Sequence, residues 1–333
     1  MAAPVPLTEI WRGDRVESLH LGHIVISTPS GEILQEWGDA RTVIYPRSSA
    51  KMIQALPLVE SGAADAAGLT SEQLALACAS HNGAHIHTDR VEAWLGDLGL
   101  TDDDLRCGAH MPHDAAAAKE ITCSNGAPRQ VHNNCSGKHA GFLTLTKHLG
   151  AGPEYVDIDH PVQRAIRAAW EDVTGEPVHG WSPDGCSAPN FATSLQGIAR
   201  AMAFFAAARP NGATVRERAA ARLREAMARH PELVAGEGRA CTRLMRAMNG
   251  NVVIKTGAEA VYIAMLPEKK LGVALKIADG ATRASEATIA AILVRLGVLD
   301  RDSEVTHSYL DAPIVNWRGI KTGYVRPAQG LLD

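Results

Sequence analysis

Arg47-Ser48-Ser49-Ala50-Lys51 lies between Tyr45-Pro46 and the apolar segment Met52-Ile53-Gln54-Ala55-Leu56-Pro57-Leu58. A proline followed by an apolar run marks the stretch as the first turn of a helix. Side chains three apart share a helix face, so the Ser48 hydroxyl and the Lys51 amine are placed to meet. Backbone N–H groups at that end have no helical partner, and the helix dipole is positive there. Such a turn favours a developing alkoxide or oxyanion, which is what a serine nucleophile with a lysine base requires. The Ser-x-x-Lys spacing is common by itself, and most copies are a solvated serine and lysine on a helix surface. The surrounding sequence decides between the two readings.

Upstream, residues 7–38 read as strands. Residues 16–27 and 33–37 alternate roughly between apolar and polar, and Thr28-Pro29-Ser30-Gly31 between them is a turn signal. Downstream, helical patterns cover 48–61, 71–80, 85–99, 114–120, 136–149, 161–174, 191–209, 214–230 and 238–248. Thr70-Ser71-Glu72-Gln73 carries a capping signal, and Gly150 and Gly250 are stops. After Asn249-Gly250 the pattern returns to strands at 251–255, 260–265 and 271–278, then to a helix at 282–297. The expected fold is α+β. An antiparallel sheet forms from the N-terminal hairpin and the C-terminal strands, helices cover it, and a helical layer fills the middle of the chain. Residues 1–333 are read as a single compound catalytic unit. Its sheet portion is 1–47 and 250–333, and its mostly helical portion is 48–249.

Composition narrows the function. The chain has 333 residues, 46% hydrophobic and 21% charged, which describes an ordinary globular protein. A net charge of −4 with no basic stripe argues against a nucleic-acid partner. Met1-Ala2-Ala3-Pro4-Val5-Pro6-Leu7 lacks the charged start and apolar core of a signal peptide. The longest apolar run, 201–208, is too short to span a bilayer. The expectation is a cytoplasmic protein with no membrane partner. Its six cysteines are then thiols or metal ligands more often than disulfides.

Two further elements keep company with the opening turn. Ser80-His81-Asn82 ends the helix at 71–80, and Lys255-Thr256-Gly257 ends the strand at 251–255. Ser-x-x-Lys, Ser-x-Asn and Lys-Thr-Gly in this order are the three-part signature of serine β-lactamases and penicillin-binding proteins. Ser48 is therefore the candidate nucleophile, Lys51 its base, and Ser80 with Lys255 a second Ser–Lys pair. A lysine base must be neutral, and burial or a neighbouring cation lowers its pKa. A second copy, Lys321-Thr322-Gly323, follows the last helix and reads as a surface loop.

Val131-His132-Asn133-Asn134-Cys135-Ser136-Gly137-Lys138-His139 concentrates Cys, Lys and His just before a helix, and Cys186 lies in the loop 182–189. Two thiolates with a third ligand from Lys138, His139 or Asp184 would suit tetrahedral zinc with one open position. The plain alternative is two small buried hydrophobes. A Cys135 nucleophile assisted by His139 is a further option.

In the segments 45–51, 79–83, 133–141, 184–186 and 255–257 the chain resembles the asparaginase II family of rhizobial, thermolabile type, and the likeness extends over about residues 10–325. The resemblance implies a fold similar to serine β-lactamases and glutaminases, and hydrolysis of L-asparagine to L-aspartate and ammonia. It also implies zinc held by Cys135, Lys138 and Cys186, and a homodimer. Arg47, His139 and Asp184 are candidates for substrate contact: Arg47 can pair a carboxylate bidentately, and Asp184 an ammonium. The competing readings are a cytosolic penicillin-interacting hydrolase or peptidase, a glutaminase, and a non-catalytic zinc or amino-acid binding protein. One methylene separates asparagine from glutamine, a matter of about 1–3 kcal/mol in a pocket. Trp11, Trp37, Trp94 and Trp170 read as packing residues. The charge-rich helix 216–229 reads as a solvated face.

Overall fold

A computed structural model describes residues 2–332. They divide into two compact units, one of residues 2–49, 194–207 and 243–332, the other of residues 50–193 and 208–242.

The first unit is built on an eight-stranded sheet. Its strands are β1 (Val5–Arg12), β2 (Arg15–Ser27), β3 (Ile33–Trp37), β4 (Val253–Gly257), β5 (Val261–Leu266), β6 (Leu271–Ile277), β7 (Ala312–Val315) and β8 (Lys321–Pro327). The spatial order is β7-β8-β1-β2-β6-β5-β4, with β3 also paired to β2, and the pairs run antiparallel. At 13 residues, β2 is long enough to serve three partners. Its first part pairs with β1, while residues 24–27 pair with both β3 and β6 and so use both edges. The Thr28–Gly31 turn closes the β2–β3 hairpin, with Gly31 N–H donating to Thr28 O at 3.0 Å.

Every residue of β5 is buried. Because successive side chains point to opposite faces, both faces of that strand are covered, and its continuous Val-Tyr-Ile-Ala-Met-Leu run follows from this. The helices Leu195–Ala207 and Thr282–Arg295 pack on it. The first corrects an expectation, because it comes from the middle of the chain yet belongs to the sheet unit. The reason is its Ala-rich face and Gly272 on β6. A Cβ at Gly272 would stand 2.1 Å from Ala199 O and 2.2 Å from Ala203 N, so only glycine allows the helix backbone this close.

The Lys321-Thr322-Gly323 copy is a second correction. It opens β8, which pairs with β1 and β7 inside the sheet, and is no surface loop. The lone Pro327 at its end and the exposed Asn316–Gly319 turn before it hid a strand whose pairing is set by distant β1.

The second unit is helical around Ser136–His148, eleven of whose residues are buried. The expected helix at 48–61 is broken. A 3-10 turn, Arg47–Ala50, runs into the short helices Lys51–Gln54 and Leu56–Glu60, and Pro57 stands at the start of the last. The helix Ser71–Ala77 begins with the expected capping box, Thr70 N–H donating to Gln73 Oε1 at 2.8 Å and Gln73 N–H to Thr70 Oγ1 at 3.4 Å. The helix Val215–Arg229 is not simply a solvated face. Arg216 bonds both oxygens of Glu60 at 2.8 and 2.9 Å and reaches Asp172 at 2.7 Å, tying three helices together. Among the described residues, no helix is long and apolar enough to cross a membrane.

Candidate functional site

Arg47 is left-handed, with φ +54°, and opens the 3-10 turn that holds Ser48. Ser49 is the buried partner in that turn: its N–H and Oγ both donate to Pro46 O, at 3.2 and 2.7 Å. Ser48 keeps a half-buried hydroxyl. The end of β4 presses on the same turn. A Cβ at Gly257 would stand 2.5 Å from Pro46 O and 3.0 Å from Ser49 N, so the glycine of Lys-Thr-Gly is what permits the contact. Lys255, two residues earlier, is 0% exposed and donates to Thr256 O at 3.0 Å. Beside the turn, His23, Thr42, Tyr45, Arg47, Glu259 and Lys276 line a cavity of about 450 Å³. Of the eight described left-handed residues other than glycine, Arg47 is itself a candidate, Ser187 follows Cys186, and Glu259 lines the same cavity as Arg47. Each costs about 1–3 kcal/mol, and such outliers gather at functional sites.

Lys51 follows the Arg47–Ala50 turn directly and belongs to the second unit. It is 1% exposed, and its amine donates to Ala79 O and, at 3.4 Å, to Asn134 O. Those carbonyls precede Ser80 and Cys135, so one amine gathers two of the candidate loops. The loops are also joined by His81, which donates from Nε2 to Ser136 Oγ at 3.0 Å. Ser136 in turn donates to Val131 O at 2.9 Å, and Gly83 N–H donates to His81 Nδ1 at 3.2 Å. Ser80 is half-buried, and its N–H donates to Val234 O at 2.8 Å. Asn82, third in the Ser-x-Asn motif, is used internally. Its Nδ2 donates to Asp114 at 3.3 Å and its Oδ1 accepts from Ala84 N–H at 3.3 Å.

Cys135 is placed by an asparagine turn. Asn133 Oδ1 accepts from Cys135 N–H at 2.9 Å, while its Nδ2 donates to Cys107 O and Gly108 O, each at 2.9 Å. Cys186 sits in the loop of a hairpin formed by Trp181–Pro183 and Pro189–Phe191, closed by Asp184 N–H donating to Ala188 O at 2.9 Å. Lys138, in the first turn of the central helix, donates to Cys186 Sγ at 3.0 Å and lies 5.4 Å from the Phe142 ring centre.

The thiols divide their roles. A hydrogen bond from Cys135 and the Lys138 ammonium hold Cys186 well below the usual thiol range, against the effect of burial. Cys135 is pushed up to about 12, first by that same bond and then by burial. Burial works to lower the Lys138 amine, but the facing Cys186, Cys135 and Asp184 outweigh it and raise it. The cluster thus sets a thiol held low against an amine held high, with a second thiol pushed up beside them. His139 is also buried and is pushed well below its ordinary value, first by burial and then by Lys138. Its Nδ1 meets Tyr155 Oη at 2.9 Å, while its Nε2 is buried with no hydrogen-bond partner.

Among the described residues, no three His, Cys, Asp or Glu side chains are grouped to hold a metal ion. A third donor joins the two sulfurs only through Lys138. Two sulfurs and an amine suit zinc in kind, and Lys138 Nζ lies 3.0 Å from Cys186 Sγ, so in their chemistry Cys135, Lys138 and Cys186 are a donor set that could hold the ion.

The expected residues therefore fall into two groups, Arg47, Ser48 and Lys255 in the sheet unit, and Lys51, Ser80, Cys135, Lys138, His139, Asp184 and Cys186 in the helical unit. Tyr155 and Asn133 were not anticipated. The Asn-Asn-Cys run signals the turn at Asn133, but nothing in the sequence marks Tyr155.

A family model described as L-asparaginase II matches residues 8–327. No curated protein matches the chain. Among solved structures, Mglu in its native form is 13% identical over 85% of this chain and 66% of its own, with a TM-score of 0.47. A β-lactamase from Mycobacterium bovis is 14% identical over 82% of this chain and 93% of its own, with a TM-score of 0.34. The octameric penicillin-binding protein homologue from Pyrococcus abyssi is 10% identical over 93% of this chain and 84% of its own, with a TM-score of 0.39.

Proposed function

Because the chain belongs to the L-asparaginase II family, we propose that it hydrolyses the side-chain amide of L-asparagine, releasing L-aspartate and ammonia through an acyl-enzyme on Ser48. Asparaginase-type amide hydrolysis goes with the family; the substrate and the residues are our reading. The observation that carries it is the turn at Arg47–Ala50, where a left-handed residue and Gly257 together fix a half-buried serine three residues before a buried lysine.

Ser48 Oγ attacks the amide carbon while Lys51 accepts its proton. Backbone N–H groups, that of Ser48 among them, hold the oxyanion. The proton passes to the amide nitrogen and ammonia leaves. Water then cleaves the β-aspartyl ester and returns a proton to Ser48. Ser80 and Lys255 form a second Ser–Lys pair that relays protons. Arg47 pairs a substrate carboxylate, and Asp184 the ammonium. Cys135, Lys138 and Cys186 would hold a zinc ion, which supplies a Lewis-acid point for orienting the substrate's amino and carboxylate groups. The reading includes a homodimer, as the resemblance implies, and a location in the cytoplasm, as the composition suggests.

A penicillin-interacting enzyme is less favoured, because the Asn82 amide that would face a β-lactam is committed to Asp114 and Ala84. Ammonia release from L-asparagine by wild type and Ser48→Ala tests the proposal.

A further inference from the structure

His139 stands next to Lys138 in the central helix, and its ring is held from one side only. Tyr155 Oη has two hydrogen-bond neighbours, Arg106 N–H at 2.7 Å and His139 Nδ1 at 2.9 Å. The amide can only donate. If Nδ1 also donated, two buried groups would lack partners, the phenol proton and the Nε2 lone pair, whereas a phenol donating to Nδ1 leaves one, since Tyr155 and His139 are both 0% exposed. The phenol therefore donates to Nδ1, and the neutral ring carries its own proton on Nε2. That N–H is buried and has no acceptor, amid Lys138, Cys135, Lys51 and Asp184. A buried donor without a partner in a cluster of candidate site residues points to a ligand that accepts.

We propose that Tyr155 is a positioning residue that fixes His139 with its proton on Nε2, so that His139 meets an oxygen of the amino-acid substrate as a donor and is not a metal ligand. A metal would need the lone pair that this tautomer places on Nδ1, where the phenol already occupies it. The tautomer half stands on the hydrogen bonds alone, and the substrate half rests on the asparagine-hydrolase reading.

The test is nitrogen NMR of the histidine rings in full-length protein, with the His139 signals identified by their loss in His139→Gln. Wild type should show a protonated Nε2 and an unprotonated Nδ1, unchanged when zinc chloride is added. Tyr155→Phe should lose the single tautomer and bind the product L-aspartate about tenfold more weakly by calorimetry, the size expected for one hydrogen bond to a charged group. A proton on Nδ1 in wild type, a tautomer unmoved by Tyr155→Phe, or a ring that zinc ligates at Nε2 would overturn the proposal. Should Tyr155→Phe not fold, the wild-type spectra with and without zinc still decide. Wild type that binds no L-aspartate would overturn the substrate half together with the function reading, while the ring spectrum reports separately on Tyr155.

Discussion

Lys138 Nζ donates to Cys186 Sγ at 3.0 Å, with both side chains at most 3% exposed. A buried ammonium facing a buried thiolate is stable only as a pair, because each charge alone bears its full desolvation cost. The two partners are not equivalent when one is removed. A thiolate left alone can take up a proton and become a small neutral group. A lysine left alone loses the partner that does most to raise it, and must either stay charged in a buried site or give up its proton under the effect of burial.

In metal-free protein, Cys186→Ala should therefore cost about 3–5 kcal/mol, more than Lys138→Met. The double variant should recover part of the loss. Urea unfolding of the four proteins gives the cycle, and purely additive losses would contradict the pairing.

Zinc binding at this cluster must displace the Lys138 proton and that of Cys135. Elemental analysis should find about one zinc per chain, lost in Cys135→Ala and Cys186→Ala. Affinity should rise with pH, with protons released on binding. Chelation should raise KM for asparagine more than it lowers kcat. Zinc affinity independent of pH would argue that these residues are not its ligands.

Gly257→Ala places a methyl 2.5 Å from Pro46 O and pushes on the Ser48 turn. A misplacement near 1 Å costs about a hundredfold in rate, so kcat/KM should fall by that order while the protein stays folded by circular dichroism. Full activity would mean that the β4 contact does not set the position of Ser48.

His87 and His139 are both lowered chiefly by burial, and so stay neutral in the folded protein. Unfolded histidine takes up a proton near pH 6.5. Below that pH the unfolded state binds protons that the folded state does not. Their stabilisation is complete above pH 6.5 and is lost as pH falls towards the folded values. The slope is up to about 1.4 kcal/mol per pH unit for each group. His85 is raised by Glu120 and opposes this, but it is exposed and contributes little. Urea midpoints should drop between pH 7 and 5, above the carboxylate range. A flat profile there would contradict the assignment of neutral buried histidines.

The parts of the fold that were legible in sequence are those written locally. The Thr70–Gln73 capping box and the Thr28–Gly31 turn rest on residues within four positions of each other. The three strands after Gly250 rest on their own apolar runs. The misread parts depend on distant partners. β8 exists because β1 offers an edge some 300 residues away, and β7 pairs in turn with β8. Leu195–Ala207 joins the sheet because Gly272 leaves room for it, and Arg216 finds Glu60 and Asp172 on other helices. In the site, the Cys135 and Cys186 loops were legible from residue type. The Tyr155–His139 bond was not, because an isolated Tyr-Val between loops carries no pattern. Asn82 showed its motif in sequence and a different use in the structure.

The central claim is that Ser48 is acylated by L-asparagine, and ammonia release by purified wild type and Ser48→Ala tests it most directly. The account predicts release from asparagine by wild type, and loss of at least about a thousandfold in Ser48→Ala, as expected when a nucleophile is removed, with the variant still folded. Ammonia release by Ser48→Ala at the wild-type rate, or none by wild type, would contradict it.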